Sequence, residues 1–355
     1  MNDTVLADTA HRLFAERFTP EVLRAADQGL WLGDAWAAIA EMGLPLAMVP
    51  EESGGFGVDM TDALELIRIA GFHAAPVPLA ETMLASWLLA RTGLEIPAGP
   101  LSIAPTQWKD NLTLTRNGAG WRLAGTLQRV PWGRVATAVA LLAEHETAAF
   151  TVRLDAGDWT AEEGRNIAGE PRDTLKVDVA LDASKITPAA PGLTGAELFA
   201  MGAALRCLAM AGAIDRALEM TLKYAEERVQ FGRPLGKFQA VQQNLAVLAG
   251  QAAAAGAAAD GAAEAIAEGV TGLLRILPIA AGKQRCSEAA GLTASIAHQM
   301  HGAIGFTHEH MLHHLTRRLW SWRDEFGNEA FWALRIGRQI ATAGAEGLWP
   351  LVTAA

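Results

Sequence analysis

Cysteine is nearly absent from this chain. Its two cysteines, Cys207 and Cys286, make no disulfide framework, and both sit in alanine-rich helical patterns as small apolar side chains. Basic charge is also short: 29 Lys and Arg stand against 39 Asp and Glu, a net charge of −10. Nucleic acid and anionic membranes are therefore poor partners, and an anionic ligand has to be met by local cations. Apolar runs free of charge are missing as well. The Ala/Gly stretch from Ala246 to Ala267 carries Gln251, Asp260 and Glu264, so no membrane span is expected. Met1-Asn2-Asp3-Thr4-Val5 has no basic region leading into an apolar core, so no signal peptide is expected, and the expected compartment is the cytoplasm. The glycine-rich loop Pro50-Glu51-Glu52-Ser53-Gly54-Gly55-Phe56-Gly57-Val58-Asp59 lacks the Gly-Lys-Ser/Thr of a phosphate-binding loop. No Gly-x-Gly-x-x-Gly follows a strand, so a dinucleotide-binding Rossmann fold has no support.

What is present is a globular composition, 51% hydrophobic and 19% charged, in 355 residues, enough for two or three domains. Up to residue 95 the chain reads as helical. Trp36, Ile39, Ala40 and Gly43 share a face, as do Met60, Ala63, Leu64 and Ile67 behind the N-cap candidate Asp59. The glycine-rich loop between them is either a plain interhelical turn or a ligand-lining one. From 96 to 193 the pattern shifts to short runs broken by Gly, Pro and Asp. Strands are expected at Leu112–Thr115, Trp121–Leu123, Ala136–Ala143, Ala149–Val152 and Leu175–Val179. From 194 to 355 helical spacing returns, with Met201, Leu205, Leu208 and Gly212 on one face. The alanine-rich run points to closely packed helices in a bundle.

The most distinctive stretch is Arg228-Val229-Gln230-Phe231-Gly232-Arg233-Pro234-Leu235-Gly236-Lys237-Phe238-Gln239-Ala240-Val241-Gln242. A helical pattern runs into it, breaks at Gly232 and Pro234, and resumes at Phe238. Two readings stand. Arg228 either caps the preceding helix, with Phe231 and Phe238 in the core, or it offers a guanidinium fork to a phosphate beside a ring that covers a base or ribose. A second string, His298-Gln299-Met300-His301-Gly302-Ala303-Ile304-Gly305-Phe306-Thr307, reads as a helix end and a glycine turn whose free amides are open to an anion. Six of the nine histidines lie between His298 and His314. With no cysteine near them and a glycine turn between the pairs, they read as solvated or supporting imidazoles and no metal site is expected.

The first string resembles the helical hairpin of the acyl-CoA dehydrogenase family, Arg-x-Gln-Phe-Gly-x-Pro-Leu-x-x-Phe-Gln-x-Val-Gln, with every fixed position occupied. The second is similar to the family's Gln-x-His-Gly-Gly-x-Gly-Phe, with Ala303 in place of a glycine. Met42-Gly43-Leu44-Pro45, Val49-Pro50-Glu51-Glu52, Gly54-Gly55-Phe56-Gly57 and Pro76-Val77-Pro78-Leu79-Ala80-Glu81-Thr82 continue the resemblance. It implies a mostly α fold with a small central β domain: a helical domain over 1–95, a β-barrel or sandwich domain over 96–193 and a helical bundle over 194–355. It implies FAD as cofactor, an acyl-CoA thioester as substrate, and an oligomer in which Arg228, Gln230, Phe231, Gln299 and Gly302 meet the adenosine diphosphate half of an FAD held mostly by the neighbouring subunit. The reaction implied is α,β-dehydrogenation, with a carboxylate taking the α proton and the flavin taking hydride from the β carbon.

Departures from the family pattern fall at the other half of the cofactor. Pro131 stands where a threonine normally meets the flavin ring, and it has no amide hydrogen to donate. The segment Thr-Glu-Pro…Gly-Ser-Asp is unrecognisable between Ile96 and Asn111. The usual base glutamate aligns with Phe326. The neighbouring Glu325 is the catalytic candidate, unless Asp324, Glu325 and Glu329 are surface carboxylates paired with Arg317, Arg318 or Arg323. The alternative base position falls at Gly202, followed by Ala203 where an arginine is usual. An intact adenosine half beside a depleted ring half suits the flavin-supporting subunit of a heteromeric dehydrogenase. A self-sufficient homo-oligomer using Glu325, and a flavin-free structural or regulatory scaffold, are the alternatives.

Overall fold

A computed structural model of the chain describes residues 3–104, 111–118 and 120–353. Helices α1 (Asp3–Arg17), α2 (Pro20–Asp27), α3 (Gly33–Glu41), α4 (Met60–Phe72) and α5 (Leu79–Thr92) come first. Asp59 caps α4 as its sequence position suggests, its carboxylate accepting the Thr61 amide at 2.8 Å. The Thr194-x-x-Glu197 pair before the long helix α6 (Gly195–Glu227) is a capping box, in which the Thr194 and Glu197 amides each donate to the other's side chain. Three more long helices follow, α7 (Gln239–Ala267), α8 (Leu273–His301) and α10 (Glu329–Thr353), with α9 (Leu312–Asp324) before the last.

Between α5 and α6 lie the strands β1 (Leu101–Ala104), β2 (Asn111–Asn117), β3 (Gly120–Pro131), β4 (Ala138–His145), β5 (Ala148–Asp155), β6 (Trp159–Glu162), β7 (Arg172–Leu181) and β8 (Ile186–Pro188). They form two four-stranded sheets, ordered β1-β4-β5-β8 and β2-β3-β7-β6. All pairings are antiparallel except β1 with β4. Alternate residues from each sheet meet in one core: Leu123, Leu127, Leu175 and Val177 from one, Val139, Leu141, Val152 and Leu154 from the other. Each of the five strands expected from the sequence falls in this sandwich, whereas β1, β6 and β8, each of four residues or fewer, carry too short a pattern to read.

The chain folds as two compact units. One is built chiefly from Ala26–Leu64 and Pro76–Gly202, the other from Ala7–Ala25, Glu65–Ala75 and the chain from Ala203 onward. In the second unit the crossing of α4 and α6 is glycine-tight: a Cβ on Gly212 would lie 1.9 Å from the Arg68 carbonyl oxygen, and one on Gly71 2.1 Å from that of Ala209. The alanine-rich α7 packs the same way on α8, where a Cβ on Gly282 would lie 2.7 Å from the Ala258 carbonyl oxygen. Both α6 and α7 contain windows long and apolar enough to cross a bilayer, and that of α6 is wholly buried inside the protein. Its two charges are both buried: Glu197 closes the capping box with Thr194, and Arg206 pairs with Glu325.

Candidate functional site

The corner after α6 is a two-residue hairpin. Val229–Gln230 (β9) pairs antiparallel with Arg233–Pro234 (β10), and Phe231 and Gly232 at its tip have φ of +54° and +81°. Two successive positive φ values make the tight turn whose twist suits a hairpin, natural for Gly232 and strained for a bulky Phe231. The reading of Phe231 as core is corrected: it is 91% exposed. Phe238 lies edge-on to it, with centroids 6.2 Å apart, and carries the Arg233 guanidinium over its face at 4.1 Å. The Gln230 amide oxygen, turned toward Arg228, accepts from its Nη2 at 2.7 Å and its Nε at 3.2 Å. Among the described residues no carboxylate pairs with Arg228, which stays exposed. An oriented guanidinium without a counter-ion, beside an uncovered ring, is an arrangement for an anion attached to a planar group.

The second string closes on the first. The Tyr224 ring, one turn before Arg228, stacks on His301 at 4.5 Å. Gln299 is exposed on the last turn of α8, and Gly302 ends that helix with φ +63°. The expectation of a free amide at Gly302 is corrected, because its N–H donates to the His298 carbonyl as a helix C-cap. The histidines differ from expectation too. His301, His313 and His314 are buried, His298 Nε2 meets Thr316 Oγ1 at 2.8 Å, and His301 Nδ1 donates to the Ala297 carbonyl at 2.8 Å. Burial lowers the pKa of His298, His301 and His310, so these rings pack as neutral groups at pH 7.

The other sequence candidates stand in closed surroundings. Glu325 is 6% exposed and its Oε2 accepts from Arg206 Nε at 2.8 Å. This corrects the surface pairing anticipated for Glu325, while Glu329 does pair with Arg323. Phe326, where the family base aligns, is buried under the Arg206 guanidinium at 5.4 Å. The buried Lys283 donates to the carbonyls of Arg323 and Gly327 at 2.7 and 2.8 Å, and burial lowers its pKa to about 8. Sequence reasoning missed Arg206 and Lys283. The only signal was a cation one turn beyond Ala203 and another within an alanine-rich helix. In the β sandwich the Pro131 carbonyl accepts from Ser102 Oγ, and Trp132 is buried edge-on against Trp31. Pro131 itself offers a flavin ring neither an amide N–H nor a hydroxyl. The stretch 105–110, in which part of the family's flavin-lining segment would fall, lies outside the described residues.

The family models for the acyl-CoA dehydrogenase N-terminal and C-terminal domains match residues 2–95 and 195–341, and the chain belongs to the acyl-CoA dehydrogenase family. Members of this family are FAD flavoproteins. The chain is 27% identical over 312 residues to acyl-CoA dehydrogenase IpdE2 of Mycolicibacterium smegmatis, covering 86% of this chain and 88% of the relative. Its fold is similar to a chain of the ChsE4-ChsE5 complex from Mycobacterium tuberculosis, with a TM-score of 0.87, 23% identity and coverage of 97% and 98% of the two chains. It is also similar to a chain of the Tcur3481-Tcur3483 steroid acyl-CoA dehydrogenase, with a TM-score of 0.86, 24% identity and coverage of 96% and 98%.

Proposed function

We propose that this chain is the flavin-supporting subunit of a heteromeric acyl-CoA dehydrogenase. Arg228, ordered by Gln230, takes the pyrophosphate of an FAD seated in a partner chain of the same family. Phe231 covers its adenosine end, and Gln299 and Gly302 line the same half-site from the end of α8. An FAD held there would supply a hydride acceptor for the β carbon of the acyl thioester. The base and the groups around the flavin ring are assigned to the partner. The observation that carries this reading is the contrast within one chain. Arg228 and Phe231 face solvent without intramolecular compensation, whereas Glu325, Phe326 and Pro131 are engaged internally. The substrate is an acyl-CoA thioester. The steroid dehydrogenase among the similar structures favours a bulky acyl group, and the setting is the cytoplasm.

The ion pair of Glu325 counts against a self-sufficient enzyme, since a base must be free to approach substrate. The test is to purify the chain alone and together with a second dehydrogenase chain that carries the base glutamate. Flavin bound only in the mixed complex, with bleaching by acyl-CoA, supports the proposal. Flavin and bleaching in the lone chain overturn it.

A further inference from the structure

The hairpin that carries Arg228 displays a second cation. Arg233 of β10 is the cross-strand partner of Gln230, and the Leu235 amide lengthens the ladder by donating to the Arg228 carbonyl at 2.9 Å. Side chains alternate along a strand and cross-strand partners share a face, so Arg228, Gln230 and Arg233 emerge on one side of the hairpin. Arg228 and Arg233 are diagonal neighbours there, about 7–8 Å apart at the backbone and within reach of each other through their long side chains. Both are exposed, and among the described residues neither pairs with a carboxylate. Glu227, next to Arg228 in the chain, lies 3.9 Å from Lys223 instead.

Two like charges on one face repel, and the hairpin holds them there all the same. Each guanidinium is steadied by a neutral group. The Gln230 amide oxygen accepts from Nη2 and Nε of Arg228, and the Phe238 ring lies 4.1 Å from the Arg233 guanidinium stacked over it. A guanidinium on an aromatic face keeps its N–H groups in its own plane, where its edge can pair with two oxygens of an anion. A single phosphate satisfies one such fork. Two phosphates joined through one oxygen carry a charge for each.

We propose that Arg228 and Arg233 form a two-cation clamp for a diphosphate, one guanidinium to each phosphate, and that Arg233 is the residue that selects a diphosphate over a monophosphate. On the half-site reading above, on which this rests for its ligand, the diphosphate is that of FAD. The test is NMR titration of the full chain, isotope-labelled in its arginines, with inorganic pyrophosphate and, separately, with inorganic phosphate, in the absence of divalent cations. Pyrophosphate is expected to move the Nε signals of Arg228 and Arg233 with one shared affinity, about ten-fold tighter than phosphate, the worth of a second charge-assisted hydrogen bond. Arg233→Gln is expected to abolish that preference, whereas a purely structural Arg233 would alter both affinities alike or neither. Absence of saturable pyrophosphate binding, an Arg233 signal that stands still, or a preference that survives Arg233→Gln overturns the proposal. FAD retention in the mixed complex separates this result from the flavin reading. Retention that depends on Arg228, with the preference surviving Arg233→Gln, leaves the half-site standing and removes the clamp. A preference abolished by Arg233→Gln, with retention indifferent to both arginines, upholds the clamp and removes FAD as its ligand.

Discussion

The Tyr224 and His301 rings stack with centroids 4.5 Å apart and planes 25° from parallel. This contact ties the end of α6 to the end of α8, and so fixes two sequence strings some 70 residues apart as neighbours. Each ring stands beside a residue of the proposed half-site: Tyr224 precedes Arg228 by one turn, and His301 adjoins Gly302. Tyr224→Ala removes a stacked pair of about 1 kcal/mol beyond simple burial. In the mixed complex it is expected to weaken FAD retention although it touches no proposed ligand atom, as measured by flavin release on dilution.

In the proposed half-site Arg228 meets the pyrophosphate charge. Arg228→Ala is expected to raise the FAD dissociation constant of the mixed complex about ten-fold or more, since a charge-assisted hydrogen bond is worth about 1.5–3 kcal/mol. Arg228→Lys restores only part of this, because an ammonium lacks the planar fork. Equilibrium flavin titration of the three proteins checks both statements.

Phe231 sets stability against binding. A bulky residue at φ +54° is strained by about 1 kcal/mol or more, and its ring is solvated. Phe231→Gly is therefore expected to raise the melting temperature of the lone chain while lowering FAD affinity in the complex. A purely structural phenylalanine would give destabilisation instead.

The α, β, α order, the five principal strands and the hairpin were legible in the sequence because each rests on a local pattern: period-two alternation, helical spacing, or a Gly-Arg-Pro break. Burial of charge was not. Glu325 follows two other charged residues, Arg323 and Asp324, and reads as surface, yet Arg206 reaches it from 119 residues away. Nothing local to either residue announces that pairing. For Phe231 the local pattern left two readings open, core or ring cover, and it is the two positive φ values at the tip that hold it out.

Removing one partner of a buried ion pair leaves the other uncompensated, at a cost of about 3–5 kcal/mol. Arg206→Ala and Glu325→Ala are thus each expected to lower the denaturant midpoint sharply, and the double variant Arg206→Met/Glu325→Leu to recover much of the loss. A catalytic Glu325 would behave otherwise: Glu325→Ala would abolish turnover with the midpoint intact.

The contact between α1 and the residue that follows α4 is expected to be acid-sensitive. His11 Nδ1 lies 3.1 Å from His73 Nε2. Burial first, then the nearby His11 and Arg216, lowers the pKa of His73 to about 4. A lowered folded pKa means that the unfolded chain binds more protons between pH 4 and pH 6.5, so stability rises with pH across that window and is lost on acidification. His73→Gln is expected to flatten the slope of melting temperature against pH there by roughly one proton's worth.

The central claim, that the chain completes a flavin site in another subunit, is tested most directly by the flavin absorbance of the purified proteins after incubation with FAD and desalting. The lone chain should come through colourless. Its complex with a base-bearing dehydrogenase chain should retain FAD, and the same complex with Arg228→Ala should lose most of it. A lone chain that retains stoichiometric FAD and is bleached by an acyl-CoA would contradict the claim, as would a mixed complex indifferent to Arg228.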